Sequence, residues 1–265
     1  MHDAGVDLHT DRPHPARVYN YLLGGDVYFD ADRDAAEQGI KSNPHSRVPP
    51  RENRAFLRRA VRFLAAEQGI DQFLDIGTGI PSAPNVHHVA QAVHPGARVV
   101  YVDHDPIVLA HAEGLLDGTG ETRFLKDDLL DPRAILESPE VRETLDLDRP
   151  IGLLLIAVLH FVGDDKDPYA LVAELLAALP PGSHLALSHL TGDFAPEAWA
   201  AVTEIYRRQG VTMRVRTKPE IARFFTGLDP IDPGLQVLPH WHPDTDEPPA
   251  SDAAVSVYGA VARKP

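Results

Sequence analysis

The chain has 265 residues, a formal net charge of −14 and no cysteine. The lack of thiols excludes disulfides, thiolate metal sites and cysteine nucleophiles. The acidic balance argues against nucleic acid, whose phosphate backbone needs a basic face. The length suits one sizeable α/β domain with an extension, or at most two small domains. A polar N-terminus without a leader pattern predicts a cytoplasmic protein with no membrane partner. So does the longest apolar run, 151–162, which is short and interrupted by His160.

Residues 1–15 carry His, Asp and Pro without periodicity and read as an arm. The stretch 16–25, closing on Gly24-Gly25, reads as a short helix, and 30–39 as a second. Residues 51–68 place apolar side chains at 56, 57, 60, 61 and 64, a helical stripe ended by Gly69. Arg47, Arg51, Arg54, Arg58, Arg59 and Arg62 crowd this segment, which reads as a solvated face rather than an anion site. Residues 1–68 are divided off as an arm and helical cap, and 69–265 as the main domain.

Alternation then sets in. Strands are predicted at 72–76, 97–102, 122–125, 151–159 and 183–188. Helices are predicted at 85–93, 106–116, from 132, and at 168–178. The uninterrupted apolar run at 151–159 is the pattern of a central strand buried on both faces. Strands alternating with helices imply right-handed crossovers and a parallel sheet. Helices at 196–209 and 218–225 precede two strands, 235–241 and 254–263, joined by a Pro/Asp-rich loop and therefore antiparallel. The predicted fold is a doubly wound seven-stranded α/β sheet, parallel but for one antiparallel C-terminal strand. Helices cover both faces, and the N-terminal extension lies over the ligand site.

Open α/β sheets bind ligands at the carboxyl ends of their strands. After the first strand comes Asp75-Ile76-Gly77-Thr78-Gly79-Ile80-Pro81. Gly77 and Gly79 allow a tight turn and close approach of a ligand. A dinucleotide fingerprint would have its third glycine where Ser82 stands. Asp75 would face a pyrophosphate unfavourably but suits a cationic ligand such as S-adenosylmethionine. Asp103, 24 residues after Gly79, ends the second strand and is placed to accept from two ribose hydroxyls, while Asp105 before Pro106 fits a helix cap. At the third strand end Asp128, preferred to Asp127, could accept from an adenine amino group. Each feature alone has a plain reading as a turn or a cap. Acids in the same order on successive strand ends do not.

The stretches 74–81, 85–87 and 100–106 resemble a family of S-adenosylmethionine-dependent methyltransferases common in actinobacteria. So do 16–25 (Ala-Arg-Val-Tyr-Asn-Tyr-Leu-Leu-Gly-Gly), 53–57, Leu159-His160-Phe161, and 181–183 with Ser188-His189. The resemblance runs from about residue 13 to the last strand and is most specific at 19–25. It implies a class I fold and no defined substrate. It implies cofactor binding by Asp75, Gly77, Thr78 and Gly79, by Asp103 and His104, by Asp128 and Leu129, and by Ala157.

Methyl transfer to a heteroatom needs an aligned nucleophile and, for an O–H or N–H acceptor, a base. His160, at the end of the fourth strand, is the candidate catalytic base; the plain alternative is a histidine packed on the sheet. Arg17, Tyr19, Asn20, Tyr21 and Tyr28 are candidate lid residues. Tyr19 or Tyr21 could stack on adenine or donate to the methionine carboxylate, and Arg17 or Arg54 could pair with that carboxylate. His240 and His242 share a face of the predicted strand at 235–241, but no third metal ligand accompanies them, and no metal is expected. Phosphate-loop, esterase-elbow and zinc-protease motifs are absent. The acceptor is predicted to be a small molecule, with oligomeric state open and a homodimer among the options. The competing readings are a non-catalytic S-adenosylmethionine-binding regulator and a nicotinamide-dependent oxidoreductase.

Overall fold

Proline and glycine set many of the element ends. Helix α1 (Pro15–Leu23) starts on a proline, is capped by the His14 side chain and stops at Gly24 with φ +86°. The computed structural model describes residues 9–113, 121–244 and 248–265. Residues 1–8 of the expected arm and 114–116 of the expected helix lie outside the described residues. Two further helices, α2 (Asp30–Ser42) and α3 (Val48–Gln68), precede the sheet. The alternating part follows as β1 (Gln72–Ile76), α4 (Val86–Val93), β2 (Arg98–Asp103), α5 (Pro106–Glu113), β3 (Thr122–Lys126), α6 (Pro132–Glu137), α7 (Pro139–Thr144), β4 (Gly152–Ile156), α8 (Pro168–Ala177) and β5 (His184–Leu190). The last part holds α9 (Pro196–Arg208), α10 (Lys218–Ala222), β6 (Asp229–Pro230), β7 (Gln236–Val237), α11 (Asp252–Val255) and β8 (Val257–Arg263).

The sheet runs β3-β2-β1-β4-β5-β8-β6, with β7 also paired to β8. The first five strands are mutually parallel, and β8 is antiparallel to β5, β6 and β7. This is the predicted doubly wound architecture with one reversed strand. The central strands β1 and β5 are buried at every position, as parallel strands covered on both faces must be.

The far edge departs from the prediction. Residues 235–241 do not form one strand: only Gln236–Val237 pairs with β8, and Leu238–His240 is a 3₁₀ turn. Pro239 has no N–H to give to a ladder. Arg59 of α3 takes the carbonyls of Leu238 at 2.7 Å and Trp241 at 2.9 Å. Pro230 and Pro233 break the same edge upstream, a composition that blunts an open sheet edge. The link to β8 also contains the unpredicted helix α11.

The arginines of α3 do not form one solvated face as the sequence suggested: Arg59 is buried against the Leu238 and Trp241 carbonyls, and Arg54 turns to a cavity. Phe56, Leu57, Ala60, Val61 and Leu64 are all buried, and the helix packs on α4, β4, β5 and β8. It is a layer of the sheet sandwich. α1 and α2 stand beyond it, α1 against α3, and α2 against α9. None of the described helices is long and apolar enough to cross a membrane.

Candidate active site

Two adjoining cavities open at the carboxyl ends of β1, β2 and β4, under α1. The first is lined by the Asp75–Ser82 loop, Asp103 and His104, Ile156 to Val158, and Arg54 and Asn53 of α3, with His14, Pro15, Ala16 and Tyr19 as its roof. The second holds about 650 Å³ including its mouth, and is bounded by α1, α2, α9 and the segment Ala157–Phe161. Pro15, Tyr19, Asn53, Ala157 and Phe161 line both and form the boundary.

The floor of the first cavity is set by the glycine loop. Gly77 has φ +75° and Gly79 φ +67°, conformations that suit glycine. A Cβ at Gly77 would also collide with the Val158 side chain. Asp103 fixes this loop: its Oδ2 accepts from the Gly79 amide at 2.8 Å and its Oδ1 from the Asp105 amide at 3.0 Å. Asp105 caps α5 through the Ile107 amide at 2.9 Å, the cap role expected of it from the sequence. The other oxygen of Asp105 lies 2.8 Å from His14 Nδ1, which ties the start of α1 to the second strand end.

Asp75 is buried beneath the loop. Desolvation pushes its carboxyl up to about 7, against a hydrogen bond from Thr78 and the charge of Arg54, which pull it down. Nη2 of Arg54 donates to the carbonyls of Ser82 and, at 2.8 Å, Pro84. Its Nε and Nη1 have no hydrogen-bond partner among the described residues, and the side chain lines the cavity.

A string of hydrogen bonds runs along the boundary. Asn53 donates to the Tyr19 hydroxyl at 2.9 Å, and Tyr19 donates to the Pro50 carbonyl at 3.0 Å. Ser188 Oγ donates to Asn53 Oδ1 and accepts from the Ala157 amide at 2.9 Å. Ala157 has φ +55°, a left-handed conformation uncommon outside glycine. That bend ends β4 and turns Val158 to Phe161 across both cavities. Asn53 falls on the apolar stripe of α3, one turn before Phe56. A polar residue on a buried stripe was the available signal for it.

His160 is buried and lines the second cavity, and its Nδ1 has no partner. Burial, His189 and Arg216 hold its pKa well below the usual histidine value, so the imidazole is neutral. Behind it, Arg216 Nη1 donates to His189 Nε2 at 2.9 Å and to the Leu159 carbonyl at 3.0 Å, while Nη2 reaches Asp164 at 2.7 Å. None of this network was legible from the sequence, because its members come from β5 and from two loops.

The structure does not bring every expected residue to the cavities. Arg17 is 1% exposed and its Nε lies 3.0 Å from Asp32 Oδ2. Its Nη2 bonds to the carbonyl of Arg12 at 2.9 Å, and Phe29 lies under the guanidinium. Arg17 therefore braces the cap, and Arg54 is the cation at the cavity. Tyr21 is likewise engaged, with Glu37 at 2.5 Å and Tyr28 edge-on. Asp128 and Leu129 follow β3 beside the Asp103 strand end but do not line the cavity. Asp128 Oδ1 accepts from the Leu130 amide at 3.0 Å. His240 and His242 sit at a turn with separate partners, Asp252 and the Asp232 carbonyl.

Residues 1–265 match the family described as S-adenosyl methyltransferase. The chain belongs to this family. Its members' shared cofactor is S-adenosylmethionine, and the strand-end cavity lies where this fold binds ligands. A DUF574 family protein from Streptomyces avermitilis is 47% identical over 97% of this chain and 100% of its own, with a TM-score of 0.94. A protein from Thermobifida fusca assigned as a methyltransferase is 38% identical over 97% of both chains, with a TM-score of 0.92. The N-methyltransferase NodS from Bradyrhizobium japonicum, solved with S-adenosyl-L-homocysteine, shares the fold at 15% identity and a TM-score of 0.50, covering 94% of this chain and 99% of that one. No curated protein matches the chain.

Proposed function

We propose that this methyltransferase holds S-adenosylmethionine in the strand-end cavity and transfers its methyl group to a small molecule in the adjoining one. The observation that carries this reading is the convergence of Asp75, the Gly77–Gly79 loop, Asp103 and Arg54 on a single cavity. A buried carboxyl, a close-approach loop, a strand-end acid and a guanidinium answer, in turn, a cationic centre, a flat nucleoside, a ribose and a carboxylate. S-adenosylmethionine supplies an electrophilic methyl group on a sulfonium. The chain's own residues do the rest.

Asp103 accepts from the ribose hydroxyls and keeps the glycine loop in place. Thr78 and His104 complete the rim, and Asp128 with Leu129 mark the direction of the adenine end. Asp75 faces the positive end of the ligand, whose charge favours the ionised carboxylate that burial disfavours. Arg54 pairs with the methionine carboxylate. Tyr19 and Ala157, held by the hydrogen-bonded string, shape the boundary the methyl group crosses. His160, neutral at physiological pH, takes the acceptor's proton; a weak base suits a proton that is released as the new bond forms. We also place the cap boundary ahead of α3: α1 and α2 are the cover, and α3 belongs to the catalytic sandwich.

Calorimetric titration of the full chain with S-adenosylmethionine, S-adenosylhomocysteine and NAD tests this directly. Saturable binding of the first two and none of NAD is expected. NAD binding without S-adenosylmethionine binding would overturn the assignment. Turnover against a small-metabolite extract then tests transfer.

A further inference from the structure

The second cavity is chemically unlike the first. No Asp, Glu, Lys or Arg among the described residues lines it. Its walls are largely apolar: Leu22, Phe161, Trp199, Val202, Tyr206 and Met213 surround the space. Most polar groups that reach it are already satisfied. Tyr19 and Asn53 belong to the boundary string, and the Ser46 hydroxyl donates to the Asn43 carbonyl at 2.7 Å. Two fully buried polar atoms on its lining residues have no partner, His160 Nδ1 and Trp199 Nε1. The Tyr206 phenol stays protonated because burial pushes its pKa up. A charged molecule entering here would lose its hydration with no counter-charge to replace it.

We propose that this cavity is the acceptor site, and that its acceptor is a neutral, largely apolar ring compound presenting one hydroxyl or N–H to His160. The proposal rests on the cofactor reading above. The acceptor's lone pair forms the new bond to the methyl carbon. The electron pair of the broken carbon–sulfur bond stays on sulfur. The acceptor's proton passes to His160 and from there to solvent, so charge and protons balance. Trp199 and Tyr206 give the ring aromatic neighbours, and the boundary residues bring the heteroatom to the cofactor side.

The test uses three probes with one ring and different charges: 2-naphthol, 2-naphthoate and 2-naphthylmethylammonium. Each is titrated calorimetrically into the full chain, with and without saturating S-adenosylhomocysteine. The neutral phenol is expected to bind at least about tenfold tighter than either charged congener. Equal or tighter binding of a charged congener overturns the proposal. Met213→Trp fills the cavity and is expected to abolish 2-naphthol binding while S-adenosylhomocysteine still binds; unchanged 2-naphthol affinity would place the probe elsewhere. Leu22→Trp, on the α1 wall, replaces it if that variant fails to fold. Wild-type protein should prefer 2-naphthol to 2-methoxynaphthalene by roughly two- to tenfold. His160→Phe should erase that preference, and a preference that survives removes His160 from the contact. Failure of S-adenosylhomocysteine to bind sinks the cofactor reading alone, since the charge selectivity of the empty chain is measured separately.

Discussion

The two halves of the site are assembled in opposite ways. The strand-end half carries the charged groups, and its floor is local: residues 75–82 are one loop, and Asp103 and His104 are the next. The apolar half draws Leu22, Pro49, Trp199, Met213 and Val257 from segments far apart in the chain. A cofactor shared by a whole fold can be bound by a fixed pattern at strand ends. An acceptor particular to one protein is shaped by what is laid over that pattern, here α1, α2 and α9.

The contrast can be broken most forcefully at the brace that pins the cap over both halves. Arg17→Ala leaves Asp32 buried with only the His14 and Phe29 amides to offset its charge, and is expected to cost about 3 kcal/mol of stability in denaturant unfolding. A loss under 1 kcal/mol would mean that the cap is not pinned by this pair. Arg54→Ala acts on the cofactor half alone. It should weaken S-adenosylmethionine by about 1.5–3 kcal/mol while leaving 5′-methylthioadenosine, which has no carboxylate, nearly unaffected. Equal losses for both ligands would show that Arg54 only holds the Ser82–Pro84 loop. Asp103→Ala should cost about 1–3 kcal/mol of cofactor affinity by calorimetry, with 2-naphthol binding unchanged.

The smallest effect is a pH dependence. Burial pushes the Asp75 carboxyl up to about 7 in the free protein, above its ordinary range. The unliganded fold is therefore favoured by the protonated form, and this contribution fades as pH rises from about 4 through 7. Binding of a cation has the opposite sign. S-adenosylmethionine affinity should rise by at most about tenfold between pH 6 and 7 and level off above it, and Asp75→Asn should flatten the curve. A wild-type profile that is flat between pH 6 and 8 would remove Asp75 from contact with the cationic end.

The same contrast decides what the sequence could reveal. Asp75, Gly77, Gly79 and Asp103 were legible because strand ends are readable and ligands gather there. That the first five strands are parallel followed from alternation. The apolar cavity was not legible, since no spacing in the sequence ties Leu22 to Met213. Arg17 was misjudged for a related reason. Its neighbours Tyr19 and Tyr21 suggested a lid, but its partner Asp32 belongs to the next helix and claims the guanidinium. The predicted strand at 235–241 failed because apolar alternation was read over Pro239, and because Arg59, some 180 residues earlier, captures its carbonyls.

The shared roof has a further consequence. Helix α1 contributes Pro15 and Tyr19 to both cavities, and Ala16 to the cofactor side. Ligands that press on the same helix are expected to bind cooperatively. The coupling must be mutual: the factor by which one ligand tightens the other is returned unchanged. A compound aimed at the apolar half would then gain potency as the cofactor cavity fills, and its apparent strength would report cofactor occupancy.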